Sequence, residues 1–198
     1  MIETAIALIL FLLPLAYSPG PGNLFFAANG ARFGVRRTLP ASVGYHVATW
    51  LVTAAIGFGF LGALAAAPGA FVLLKVAGAL YVLWIAWGLL RAGVWQQDVE
   101  ARPASFRDGT MLLLLNPKAY VIIALMFTQF LSVPDTNRTL LVLGITTLFT
   151  LNNLIAFTLW TMMGARLGLL FARAGSARAM NVGFGLMLGG VAMWMLLS

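Results

Sequence analysis

The chain of 198 residues is 62% hydrophobic and 9% charged, with 12 Lys and Arg against 5 Asp and Glu and a formal charge of +7. A soluble domain is about 45–50% apolar and about 25% charged, so too few polar residues remain here to coat a single core. A soluble enzyme, a disordered chain and a secreted disulfide scaffold are excluded, and the composition is that of an integral membrane protein. With no cysteine in the chain, disulfides, thiol relays and thiolate metal sites are excluded as well. The excess of Arg and Lys belongs to cytoplasmic loops. No basic run is interleaved with aromatics as single-strand binding requires, and nucleic acid is not an expected partner.

A helix crossing a bilayer needs about 20 mostly apolar residues, and the gaps between charges count the crossings. Between Glu3 and Arg32 lie 28 uncharged residues, a retained first span interrupted at Ser18-Pro19-Gly20-Pro21-Gly22-Asn23. The 37 residues between Arg37 and Lys75 exceed one helix, and Pro68-Gly69 divides spans two and three, the third ending at Arg91. Residues 92–107 form a polar loop. Span four runs from about Asp108 to Leu131 with Lys118 inside it. Span five occupies the 27 uncharged residues between Arg138 and Arg166, and span six the last 20 from Ala179. These continuous runs are not the ten-residue alternating segments of a closed barrel. The expected fold is an all-α membrane protein of six transmembrane helices.

Arginines follow spans one, three and five (Arg32, Arg36, Arg37; Arg91, Arg102, Arg107; Arg166, Arg173, Arg178), against Arg138 on the other side. By the positive-inside rule both termini face away from the cytoplasm. Splitting the chain at the loop leaves a half at 1–91 and a half at 108–198, each with three spans. Two such halves lie in opposite orientations, as inverted repeats. Each begins with a proline-broken span, and transporters of this construction bind substrate at such breaks.

At Pro19, Gly20, Pro21, Gly22 and Asn23 the chain cannot continue as a regular helix. The helix restarting near Leu24 points its positive N-terminal end at the break, which suits a carboxylate; a simple kink is the alternative. Asn116-Pro117-Lys118 is the second break. Lys118 lies 11 residues past Arg107, or roughly 16 Å at helical rise, near the middle of a ~30 Å hydrocarbon core. A charge at that depth is a functional candidate. Lys75 sits near the start of span three and is equally consistent with snorkelling. His46, the one histidine, is either a proton relay or a neutral packing residue. Ser42 and His46 share a helix face, but no carboxylate in a span supports a nucleophile, and no catalytic residue is expected. Asn152 and Asn153 in span five serve as helix–helix glue, or Asn153 faces substrate. Ala55-x-x-x-Gly59 and Gly185-x-x-x-Gly189 read as close-packing motifs, which leaves internal packing and a homo-oligomer both open. Glu3, Asp98, Glu100, Asp108 and Asp135 all fall at ends or loops. No metal site or cofactor is therefore expected.

Three segments, in order, resemble the LysE/RhtB family of amino-acid exporters. Ser18-Pro19-Gly20-Pro21-Gly22-Asn23 with Ala31-Arg32-Phe33-Gly34 resembles its S-P-G-P-x-N stretch and the G-x-R-x-G that follows. Leu74-Lys75-Val76-Ala77-Gly78-Ala79-Leu80-Tyr81 resembles its L-K-x-x-G-A-x-Y pattern, which adds weight to Lys75. Phe106-Arg107-Asp108-Gly109 with Asn116-Pro117-Lys118 resembles its F-x-x-G and N-P-K motif. Where many members carry an acid early in span two, Gly44 is here followed by Tyr45, His46 and Thr49. Thr128-Gln129-Phe130 stands where P-Q-F often closes span four. The missing acid leaves His46 as the candidate for proton coupling, or no such coupling.

The resemblance implies export of amino acids or close derivatives across a bacterial cytoplasmic membrane, driven by the proton or membrane potential. The residues add a preference. Lysines and helix N-termini without a deep acid favour the α-carboxylate and a neutral side chain over lysine or arginine. The alternatives are an exporter of another small solute and, from a different class, a membrane-embedded enzyme.

Overall fold

The computed structural model describes residues 2–60, 68–91, 102–130, 137–173 and 177–197. They form seven α-helices: α1 (Ile2–Tyr17), α2 (Pro21–Ala55), α3 (Pro68–Arg91), α4 (Phe106–Leu114), α5 (Pro117–Phe130), α6 (Arg138–Arg173) and α7 (Ala177–Leu197). A short π-helical stretch, Ile56–Phe60, extends α2. Among the described residues there is no strand, as expected of an apolar chain whose backbone must satisfy itself within each segment.

Local chemistry explains where the helices start and bend. Pro21 opens α2 at its first turn, behind an extended Gly20 at φ −170°, where its missing N–H costs nothing. Ser105 and Asp108 form a capping box at the start of α4: the serine hydroxyl accepts from the Asp108 N–H at 3.3 Å, and the Asp108 carboxylate accepts from the Ser105 N–H at 2.8 Å. Gly34, at φ 78° and ψ 170°, turns α2 back on itself, a conformation that favours glycine. The loop expected between the first two spans is thus a one-residue hinge, and Arg32, Arg36 and Arg37 flank it.

α6 serves as the spine. The first half of α2 runs alongside it in the same direction: a Cβ on Gly22 would strike Phe157, one on Gly164 the Ala27 carbonyl, and one on Gly168 the Ala31 carbonyl. Beyond Gly34 the second half returns antiparallel, with Trp50 Nε1 donating to Thr147 Oγ1 at 3.2 Å and Gly57 packed on Val142. α4 crosses this returning half equally closely, Gly44 against the Phe106 carbonyl and Gly109 against the Ala41 carbonyl. α3 pairs with α7, where Val82, Ala86 and Leu89 meet Phe184, Leu188 and Ala192. Small residues at crossings let helix backbones approach where no hydrophobic effect drives association.

The expected packing motifs divide. Gly185 packs closely, on Leu90, whereas Gly59 and Gly189 have nothing among the described residues within 4 Å of a Cβ position, and Gly59 adopts φ 120°. The closest backbone crossings within the chain are at Gly30, Gly44, Gly78, Gly109, Gly164 and Gly168.

Large apolar side chains point outward around the bundle, among them Leu10, Leu51, Trp84, Ile155 and Leu186, each more than half exposed. Patches of this extent have no place on a soluble monomer and belong in lipid. Pro21–Gly59 and Arg138–Leu170 are each long and apolar enough to cross a membrane. α4 and α5, bent by 62° at their junction, meet the same test as one broken span. The protein is an all-α, membrane-associated bundle with two such spans, or three when the bent pair is counted.

Candidate functional site

A helix end buried away from water must find partners for its last carbonyls. At the C-terminus of α1 four successive carbonyls do so through four different side chains. Leu15 O accepts from Ser18 Oγ at 3.2 Å, Ala16 O from Asn23 Nδ2 at 2.9 Å, Tyr17 O from Trp160 Nε1 at 3.2 Å, and Ser18 O from Lys118 Nζ at 3.3 Å. Lys118 also donates to Ser18 Oγ at 2.9 Å. An ammonium at this position complements the negative end of α1.

The second break lies between α4 and α5. Leu115 leaves the helix at φ −99° and ψ 11°, Pro117 supplies no N–H, and Tyr120 Oη donates to the Leu114 carbonyl at 3.1 Å. α3 backs this break so closely that a Cβ on Gly78 would collide with the Leu115 carbonyl. Lys118, from the first turn of α5, crosses to the first break, and a Cβ on Gly20 would sit 3.0 Å from its Nζ and 3.2 Å from its Cδ. The two interruptions, about a hundred residues apart in sequence, therefore meet.

Around the junction stand Phe26, Tyr45 and Phe157, with ring centroids 4.7–5.7 Å apart. Tyr45 Oη accepts from Asn116 Nδ2 at 3.3 Å, tying α2 to the second break. His46 stacks edge-on to Phe157 at 5.6 Å. Its Nδ1 faces the Ser42 carbonyl at 2.7 Å, and its Nε2 is buried without a partner among the described residues.

Of the residues singled out in the sequence, Pro19, Gly20, Pro21, Gly22, Asn23, Asn116, Pro117 and Lys118 gather at this junction. Asn153 is buried on α6, one turn before Phe157. Lys75 belongs to α3, one turn before Gly78, but its side chain lies outside the described residues. Sequence reasoning missed Ser18 as a partner of Lys118, and also Tyr45, Phe157 and Trp160. Tyr45 carried a faint signal, since a hydroxyl beside the candidate His46 was already in view. The aromatic partners on α6 carried none.

Residues 13–198 match the family described as LysE type translocator. The chain belongs to this family. A LysE-type translocator is a transporter, not an enzyme, and the described residues hold no group of three or more His, Cys, Asp or Glu able to bind a metal ion. An uncharacterised membrane protein of Vibrio cholerae is 31% identical over 201 residues, covering 97% of this chain and 96% of the relative. A cysteine/O-acetylserine efflux protein of Escherichia coli K12 is 26% identical over 174 residues, 87% of each chain. No solved structure matches this translocator.

Proposed function

We propose that the protein exports small neutral amino acids or their close derivatives across the bacterial cytoplasmic membrane, binding them where the two helix breaks meet. The observation that carries this reading is the reach of Lys118 from one break into the other. Two of its three ammonium protons are used on Ser18, which leaves the third for a ligand. The N–H groups of Gly22 and Asn23 at the start of α2, and of Lys118 at the start of α5, precede the first helical acceptors and add positive partial charge. A carboxylate suits this site. No acid falls within an apolar run of the sequence, so a second positive charge on the substrate has nothing to pair with, which disfavours lysine and arginine. The E. coli relative is named for efflux of two such small neutral compounds.

In this reading the chain crosses the membrane six times. α1 and the first half of α2 form a broken first span, the rest of α2 the second, α3 the third, α4 with α5 a broken fourth, and α6 and α7 the last two. The halves 1–91 and 108–198 are inverted repeats joined by the cytoplasmic segment 92–107, and both termini lie outside the cytoplasm. Three features support that orientation. Gly168 next to Ala31 brings Arg166 to the same end as Arg32 and Arg36, the N-terminus of α4 with Arg107 meets α2 at Ala41 and Gly44, and Asn29 Oδ1 accepts from the Ala104 N–H. The proton motive force drives export, with His46 as the coupling group beside the site.

Proteoliposomes loaded with labelled serine, threonine, leucine or arginine test the reading. Saturable efflux of the neutral set, stimulated by an imposed proton gradient and exceeding that of arginine, is the expected result. Arginine efflux above that of the neutral amino acids refutes the preference, and indifference to the gradient refutes the coupling.

A further inference from the structure

Asn116 directly precedes Pro117, where an asparagine ordinarily turns back to cap its own helix. Here the side chain reaches away to α2 and donates Nδ2–H to Tyr45 Oη at 3.3 Å. Its Oδ1 is left buried with no partner among the described residues, on a side chain only 5% exposed. A buried acceptor without a donor is costly and needs an explanation. Tyr45 is 1% exposed. Accepting from Asn116 uses one lone pair of its oxygen and leaves its own O–H to donate.

That hydroxyl sits 3.5 Å from where a Gly22 Cβ would be, next to the edge of the Phe157 ring at 2.7 Å, and so lies against the first turn of α2. The pair thus presents one unused acceptor and one unused donor beside the N-terminus of α2, within the junction that Lys118 bridges. Neither atom carries a charge.

We propose that Asn116 Oδ1 receives the α-ammonium of the substrate while the Tyr45 hydroxyl donates to its α-carboxylate. The pair, one residue from each half of the chain, then selects amino acids over the matching hydroxy acids. This rests on the amino-acid reading above and adds the groups that recognise the α-carbon substituents. An ammonium fills the orphan acceptor. A hydroxyl in its place can still donate its one proton but carries no charge, and a charge-assisted hydrogen bond is roughly twice as strong as a neutral one.

The test compares efflux of labelled serine and of labelled glycerate, its 2-hydroxy analogue, from proteoliposomes. The wild type is expected to favour serine in kcat/KM by about tenfold. Asn116→Ala is expected to reduce that ratio below about threefold, because the orphan acceptor is gone. Tyr45→Phe removes one hydroxyl and keeps the ring packing; it is expected to raise KM for both solutes by about tenfold while the serine-to-glycerate ratio holds. An undiminished ratio in Asn116→Ala, or an unchanged KM in Tyr45→Phe, overturns the assignment while leaving amino-acid export standing. Wild-type protein that moves neither serine nor any other amino acid overturns both.

Discussion

Replacing Lys118 by methionine keeps the apolar stem beside Gly20 and deletes the ammonium. Two opposing effects then act on stability. The Ser18 carbonyl and hydroxyl lose their donor, and a stranded polar group costs about 1–3 kcal/mol, toward the low end here because Ser18 is only half-buried. Against this, a lysine at membrane depth carries an insertion cost of about 2.5–3.5 kcal/mol that methionine avoids. The gain at least matches the loss, so the variant is expected to insert and to be no less stable than the wild type. Transport behaves differently. A charge-assisted hydrogen bond to the carboxylate contributes about 1.5–3 kcal/mol, and at 1.36 kcal/mol per decade its loss lowers kcat/KM for serine about 10- to 100-fold. Thermal unfolding in detergent and efflux from proteoliposomes are measured on the same preparation. Efflux within threefold of the wild type, from protein of unchanged stability, refutes the role given to Lys118.

Asn23→Ala strands the Ala16 carbonyl at the buried end of α1 and is expected to lower stability by about 1–3 kcal/mol; Trp160→Phe does the same to Tyr17 by about 1 kcal/mol, and both are read by thermal unfolding. Gly164→Ala drives a methyl into the Ala27 carbonyl and is expected to abolish accumulation of folded protein. Gly189→Ala, with open space around it, is expected to be neutral or to gain up to about 1 kcal/mol from helix propensity. His46→Gln is expected to keep exchange of serine between the two sides while losing stimulation by a proton gradient, and stimulated efflux at wild-type level counts against coupling through this residue.

The helical class was legible in the continuous apolar runs, because only helices and closed barrels satisfy the backbone in lipid and a barrel would show short alternating segments. Both breaks were legible for a local reason: Pro19-Gly20-Pro21-Gly22 and Asn116-Pro117 interrupt a helix wherever they stand. Lys118 was legible as an unexplained charge at depth. What the breaks face was not, since Lys118 to Ser18 and Trp160 to Tyr17 are contacts across 100 and 143 residues that no local pattern encodes. The Gly34 hinge was hidden because three nearby arginines read equally well as a loop. Counting small residues at four-residue spacing picked out Gly59 and Gly189, which pack on nothing among the described residues, because spacing does not say which face a partner helix covers. Gly164 and Gly168 obey the same spacing, and α6 lies against α2 there. Tyr45 entered the site only once its phenol was seen to meet Asn116, where folding brings the two halves of the chain together.

Recognition of a carboxylate at the meeting of the two breaks is tested most directly by equilibrium binding of labelled serine to the purified protein. Unlabelled serine and serine methyl ester, which lacks the carboxylate charge, are the competitors. The account predicts displacement by serine and at least tenfold weaker displacement by the ester. Equal displacement by both would contradict it, because neither Lys118 nor the helix N-termini would then be holding the carboxylate.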